Sequence, residues 1–276
     1  MHTEFLISWG RRIAVVLSVA LLAACASTTK SGQVGVQRKQ LLLVSAQEVD
    51  QMAAKAYRAE LIKAQKAKAL NTNAPVVRRV RAIAQRLIPQ VAAFRSDALQ
   101  WQWEVNVIDS KALNAWCMQG GRMAIYTGLI ETLQLNDDEL AAILGHEMAH
   151  ALREHSREQI SHAVATQLGV SIGASLLGLS ALGGDLVSKG AQIMLTLPNS
   201  RSAEQEADRM GVELAARAGY DPRAAVSVWK KMAAQTQGAR QPEWLSTHPS
   251  PAKRTQDLSR YAQQVMPLYQ KAQGKS

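Results

Sequence analysis

The chain has 276 residues, 47% of them apolar and 5% aromatic, and 32 basic against 22 acidic side chains give a formal net charge of +10. That length buries one good core or two small ones, and the apolar content excludes a disordered chain. The positive surplus suits anionic neighbours, but the basic residues of 55–68 and 78–86 fall at helical spacing without interleaved aromatics, so they read as solvated helix faces and no nucleic-acid partner is expected.

Arg11 and Arg12 precede an apolar run, Ile13–Ala24, too short for an ordinary spanning helix and suited to the central region of a signal peptide. The run closes on Leu22-Ala23-Ala24-Cys25, which resembles a bacterial lipobox, where cleavage precedes a lipid-modified cysteine. Residues 1–24 are therefore expected to be a lipoprotein signal peptide, with Cys25 the lipidated residue and the membrane reached through its lipid. Ala26 stands where an aspartate would suggest inner-membrane retention in such lipoproteins, so the resemblance implies the outer membrane, in a cell that has one, facing the periplasm. Residues 25–44, small and polar through Ser27–Arg38, are expected to form a flexible tether ahead of a domain at 45–276. With Cys25 acylated, Cys117 is left as a lone thiol, and no internal disulfide is expected.

Ser45 followed by Glu48 fits a capping box opening a helix to about Leu70, and Pro75 starts a second helix reaching about Phe94. In Trp101–Asp109 apolar and polar residues alternate, the pattern of a half-buried strand. Asn114–Met118 and Arg122–Thr127 flank Gly120-Gly121 as a hairpin. Asn136-Asp137 caps the next helix, whose Leu140, Ile143, Leu144 and Met148 form an apolar face. Residues 163–184 carry no charge and include five glycines, with Gln167, Ser171 and Ser175 on one face. A helix packed in the domain is expected there, a lid or a membrane-contacting segment being the alternatives. Arg201–Ala218 is a further helix stopped by Gly219; Asp221-Pro222 and Ser250-Pro251 start the last two. The expected fold is α+β and predominantly helical, with a small antiparallel sheet.

The capped helix carries His146-Glu147-Met148-Ala149-His150. Histidines four apart project from one helix face, and Glu147 sits about 100° further round, near the pair. Two imidazoles that bind a metal and a carboxylate that reaches water make the HExxH arrangement of a zinc hydrolase. Such a site needs a third protein ligand. His155 does not fit the long HExxHxxGxxH signature, because Arg153 and Ser156 stand where glycine and histidine belong, and His162 lies off the face of the pair. In Ser200–Gly211, Glu204 and Asp208 share a face, so Glu204 is the expected ligand and Asp208 a hydrogen-bond partner for a ligand imidazole. Glu206 is turned about 200° from Glu204 and is expected to point outward, where its loss would matter little.

HEMAH, the downstream SRSAEQEADRMG, the preceding NAWCMQGGRMAIYTGLI and the late STHPSPAKR together resemble the M48 metallopeptidases, over roughly residues 45–270. The family includes CAAX-processing, HtpX-like and Oma1-like proteases, and within it the chain is similar to the soluble periplasmic lipoprotein members. The resemblance implies a zincin-like domain in which His146, His150 and Glu204 hold one Zn²⁺ per chain and Glu147 is the general base. It also implies that Asn114 and Ala115 belong to an edge strand that pairs with substrate, that His248 steadies the oxyanion, and that Arg254 braces its loop. Gln119 departs from the proline common in the family. The implied function is a zinc endopeptidase acting on protein or peptide substrates, here misfolded or unassembled envelope proteins, with outer-membrane assembly partners left open. The alternative is a zinc-containing chaperone or assembly scaffold with little proteolysis.

Overall fold

The computed structural model describes residues 25–176, 197–235, 243–249 and 253–274. The expected signal peptide, the end of the charge-free stretch at 177–184 and the Ser250-Pro251 start lie outside the described residues.

Helix α1 (Ala46–Lys66) opens with the expected box: Ser45 accepts from the backbone N–H of Glu48, whose carboxylate returns to the N–H of Ser45. It ends before Leu70 because the chain leaves the helix to meet a strand. Lys68 and Asn71 take left-handed φ values of 53° and 55°, and Leu70 bridges Ile108. Helix α2 (Ala74–Leu87) starts on the side chain of Asn73 with Pro75 in its first turn. It gives way to a 3₁₀ segment, Ile88–Ala93, at Pro89, which has no N–H to donate to the preceding turn.

Two short strands near the N-terminus, β1 (Cys25–Ala26) and β2 (Gln40–Leu41), pair antiparallel. The main sheet has β3 (Glu104–Ile108), β4 (Ala115–Met118) and β5 (Arg122–Tyr126) in the order β3-β5-β4. The hairpin forms as expected, on Gly120 and Gly121 at φ 83° and 84°, values that side-chain-bearing residues rarely adopt. The sheet is mixed rather than purely antiparallel, however, because β3 runs parallel to β5. Met123, Ala124 and Ile125 are buried on both faces of the sheet, so β5 takes the central place and β3 covers its free side. That leaves β4 at the edge.

A short helix, α3 (Thr127–Thr132), leads to α4 (Asp137–Leu152), whose capping box joins Asn136 and Glu139. From Glu139 to Leu152 every residue of α4 is buried. It packs against α6 (Arg201–Arg217), and α7 (Ala224–Gln235), the short α8 (Glu243–Thr247) and α9 (Arg254–Ala272) complete that side. Between α4 and α6, helix α5 (His155–Leu176) takes in the first part of the charge-free stretch. Among the described residues no helix is long and apolar enough to cross a membrane.

Residues 27–41, expected as a loose tether, instead lie on the domain. Val34 and Val36 are buried in the main core. The buried carboxylate of Glu213 accepts the N–H groups of Gln33 and Val34 at 2.8 and 3.1 Å, and Arg153 donates to Ser27 and Thr29. The small polar composition concealed two core valines and a set of backbone donors with a buried acceptor waiting for them.

Candidate metal centre

Helices α4 and α6 cross at two glycines. A Cβ on Gly211 would lie 2.7 Å from the backbone N of His146, and one on Gly145 2.8 Å from the carbonyl O of Gly211. Without side chains there, the two backbones touch, and this contact sets Glu204 and Asp208 opposite His146 and His150. All four are buried, as are Glu147 and His248.

The Nε2 atoms of His146 and His150 stand 3.1 Å apart. Glu204 reaches between them, with Oε2 3.6 Å from His146 and Oε1 3.3 Å from His150. His248, just after α8, places Nδ1 2.9 Å from Glu204 Oε1 and 3.2 Å from His146 Nε2. One donor atom from each of these four residues falls within 4.8 Å of the others. Asp208 Oδ1 lies 3.1 Å from His146 Nδ1. Arg254 ties the acidic pair together, at 2.8 Å from Glu204 and 2.7 Å from Asp208, with its guanidinium 3.6 Å over the Trp229 ring.

These contacts test whether a metal fits. With the N–H of a neutral His146 given to Asp208, its Nε2 is a lone pair, and it faces a second imidazole nitrogen at hydrogen-bond distance. Glu204 Oε2 is buried without a hydrogen bond of good geometry, although Arg254 is close. Burial opposes a charge on His146, yet Asp208 and Glu204 outweigh it and push its pKa up to about 9. Burial likewise opposes the charge of Glu204, but His248, His146 and His150 hold its carboxyl well below the usual range. Converging lone pairs, an orphaned carboxylate oxygen and a local demand for positive charge all fit a cation.

Glu147 is held separately: the indole N–H of Trp244 donates to its Oε1 at 2.7 Å, and His248 Nε2 is 3.4 Å from the same oxygen. Asn114, Ala115 and Cys117 line a cleft with Glu147, His150, Thr247 and His248, so the edge strand β4 borders Glu147. Cys25 is not part of this cluster; it pairs with Leu41 in the β1–β2 ladder.

Three residues escaped the sequence reading. Trp244 gave no local signal, because its partner lies 97 residues away. His155, set aside as a ligand, places Nδ1 2.9 Å from His150 Nδ1. Glu206 does face away from Glu204, as the helix requires, but it does not reach solvent. Its carboxylate is buried against Arg153, Arg38 and His155. The expectation that it is an outward residue of little consequence is thereby corrected: its side of α6 is covered by the N-terminal segment and the α4–α5 turn.

A helical α+β domain that brings HExxH and a glutamate from a second helix to one point, beside a sheet edge, defines the metallopeptidase class. Comparison with known families agrees: residues 75–262 match peptidase family M48. The chain belongs to that family. It is 35% identical over 176 residues to bovine mitochondrial metalloendopeptidase OMA1, covering 60% of this chain and 34% of the relative. The Schizosaccharomyces pombe mitochondrial metalloendopeptidase OMA1 is 36% identical over 161 residues, 58% of this chain and 47% of its own length. A beta-barrel assembly-enhancing protease of Yersinia pestis is 33% identical over 173 residues, 58% of this chain and 35% of its own length. The match thus spans about a third to a half of each of these relatives.

Proposed function

We propose that this chain is a zinc endopeptidase, anchored through a lipid on Cys25 to a bacterial envelope membrane and acting on misfolded or unassembled envelope proteins. The observation that carries the enzymatic part is the convergence of His146, His150 and Glu204 at one point beside Glu147 and the β4 edge. Two imidazoles and a carboxylate suit zinc. A bound zinc ion supplies Lewis acidity to the attacking water and the scissile carbonyl.

The chain's own residues do the rest. The edge of β4 pairs with an extended substrate backbone, Asn114 and Ala115 lying where that strand enters the cleft. Trp244 fixes one oxygen of Glu147, which takes a proton from the attacking water and returns it to the leaving nitrogen. Four protein donors would close a tetrahedral site, whereas hydrolysis needs one place for water. His146 and His150, paired on α4, and Glu204 would hold the ion, and His248 borders the remaining place, where it can steady the developing oxyanion. Asp208 and Arg254 hold His146 and Glu204 in position.

The envelope placement is supported by the lipobox-like Leu22–Cys25 and the likeness to the Yersinia pestis protease. Incubating the purified chain with unfolded casein tests the activity. Cleavage that a zinc chelator stops and added zinc restores is the expected result; persistent cleavage in chelator, or none from zinc-loaded protein, would reject it.

A further inference from the structure

His146 Nδ1 has an obvious anchor in Asp208, whereas His150 Nδ1 faces no carboxylate among the described residues. On its far side stands His155, and behind His155 stands Glu206. We propose that His155 and Glu206 are positioning residues for His150, forming a directed hydrogen-bond chain that fixes the tautomer in which it can bind metal. The inference rests on the reading of His146, His150 and Glu204 as the metal ligands.

The direction follows from the ends. The ionised Glu206 carboxylate can only accept. It already takes Arg153 Nη2 at 2.9 Å and Arg38 Nη2 at 2.9 Å, and His155 Nε2 lies 3.1 Å from its Oε2. His155 therefore donates from Nε2, and a neutral imidazole then has its lone pair on Nδ1. That lone pair lies 2.9 Å from His150 Nδ1, so His150 must carry its proton on Nδ1 and present a lone pair at Nε2, the atom facing Glu204. With a doubly protonated His155 the order would reverse: His150 would accept at Nδ1 and aim an N–H at the metal position. The buried guanidinium of Arg153, held on the same Glu206 carboxylate, opposes that second proton by charge repulsion.

Local structure holds the chain in place. Glu154 breaks the helix with φ 53°, its carboxylate held by Arg95 and by Arg157 at 2.6 Å. The break ends α4 and starts α5 at His155, turning that ring back against His150 at a centroid distance of 4.8 Å. His155 and Glu206 are both buried, and Arg153 is wholly buried, so bulk water cannot substitute for a lost partner. Arg38 also grips Glu158, which makes the N-terminal segment the outer end of the chain.

Outer partners of metal-bound histidines are worth roughly 10–100-fold in affinity. The test measures zinc affinity of the full chain in detergent by competition with a chromophoric chelator, beside the visible spectrum of the cobalt-substituted protein. His155→Phe keeps the ring volume and removes both nitrogens; His155→Asn places an acceptor oxygen near the position of Nδ1. We expect zinc affinity to fall about 10–100-fold in the phenylalanine variant and only about threefold in the asparagine variant, with the cobalt bands shifted in the former. A phenylalanine variant that binds like wild type, or two variants that lose equally, would overturn the relay, since packing alone would then explain the effect. If the phenylalanine variant does not fold, Glu206→Gln decides: a several-fold weaker affinity supports the relay, and unchanged affinity refutes it. A wild-type chain that binds no zinc would defeat the metal-centre reading itself, an outcome distinct from all of these.

Discussion

Glu147 and Glu204 are both buried carboxylates near the same imidazoles, yet they should fail in different ways. Glu147→Gln keeps the shape and the contact with Trp244 Nε1 but loses the oxygen proposed to take a proton. Zinc content should stay near one per chain while casein cleavage falls by about 10²-fold or more. Glu204→Gln removes charge from the point where Nε2 of His146 and His150 converge and leaves Arg254 facing an amide. Zinc should then be lost by more than the roughly 10–100-fold typical of an outer partner, and cleavage with it. Metal analysis and a cleavage assay on both variants decide the matter; an active Glu147→Gln chain, or a zinc-replete Glu204→Gln chain, would contradict the assignment. Sequence could place these residues because their relation is set by helix periodicity: four residues bring His146 under His150, and two turn Glu206 away from Glu204. It could not place Trp244, or reveal that Glu206 meets Arg38 and Arg153, because those contacts join segments far apart in the chain.

The elements that carry the site depend on their ends and their crossing. Gly211→Ala would set a methyl against the backbone of His146, where no rotamer change can relieve it. The helices must separate, at about 1–3 kcal/mol, and because one helix carries both histidines and the other Glu204, zinc affinity should fall together with the melting temperature. Wild-type affinity in a Gly211→Ala chain would show that the crossing does not set the ligand geometry. The start of α4 predicts a pH dependence. Burial works against the charge of Glu139, but Lys231 at 2.6 Å, Ser227 and the Asn136 N–H outweigh it and hold its carboxyl below the ordinary value of 4.5. A lowered folded pKa gives stability that is complete above the unfolded value and lost as pH falls through the folded one. Denaturant midpoints should therefore drop on acidification below about pH 4.5, and Glu139→Gln should start lower at neutral pH with a shallower acid slope; parallel slopes would rule this out. Element types were legible wherever start signals and periodicity are local, as at Ser45, Pro75 and Asn136. The parallel placement of β3 and the early end of α1 were not, because both follow from a strand–strand choice and a bridge from Leu70 to Ile108.

For the whole molecule, the N-terminal segment joins the proposed anchor to the domain, and its two roles can be separated. The contacts that bind it include those of Ser27, Thr29, Lys30, Gln33, Val34 and Arg38. Changing the Cys25 thiol should remove the lipid and leave these contacts in place. Cys25→Ala should abolish incorporation of a palmitate analogue and block lipobox processing, while the purified protein cleaves casein within about twofold of wild type, as expected of a change outside the contacts that bind the segment. Val34→Ala and Val36→Ala should do the reverse. Each removes two buried carbons from the main core, about 1.5 kcal/mol apiece, so membrane recovery and labelling should persist while the melting temperature falls. A segment that served only as a spacer would tolerate both valine changes without loss of stability. Label surviving in Cys25→Ala would remove the anchor from this residue, and a Cys25→Ala chain that melts lower than wild type would show that the domain itself depends on it.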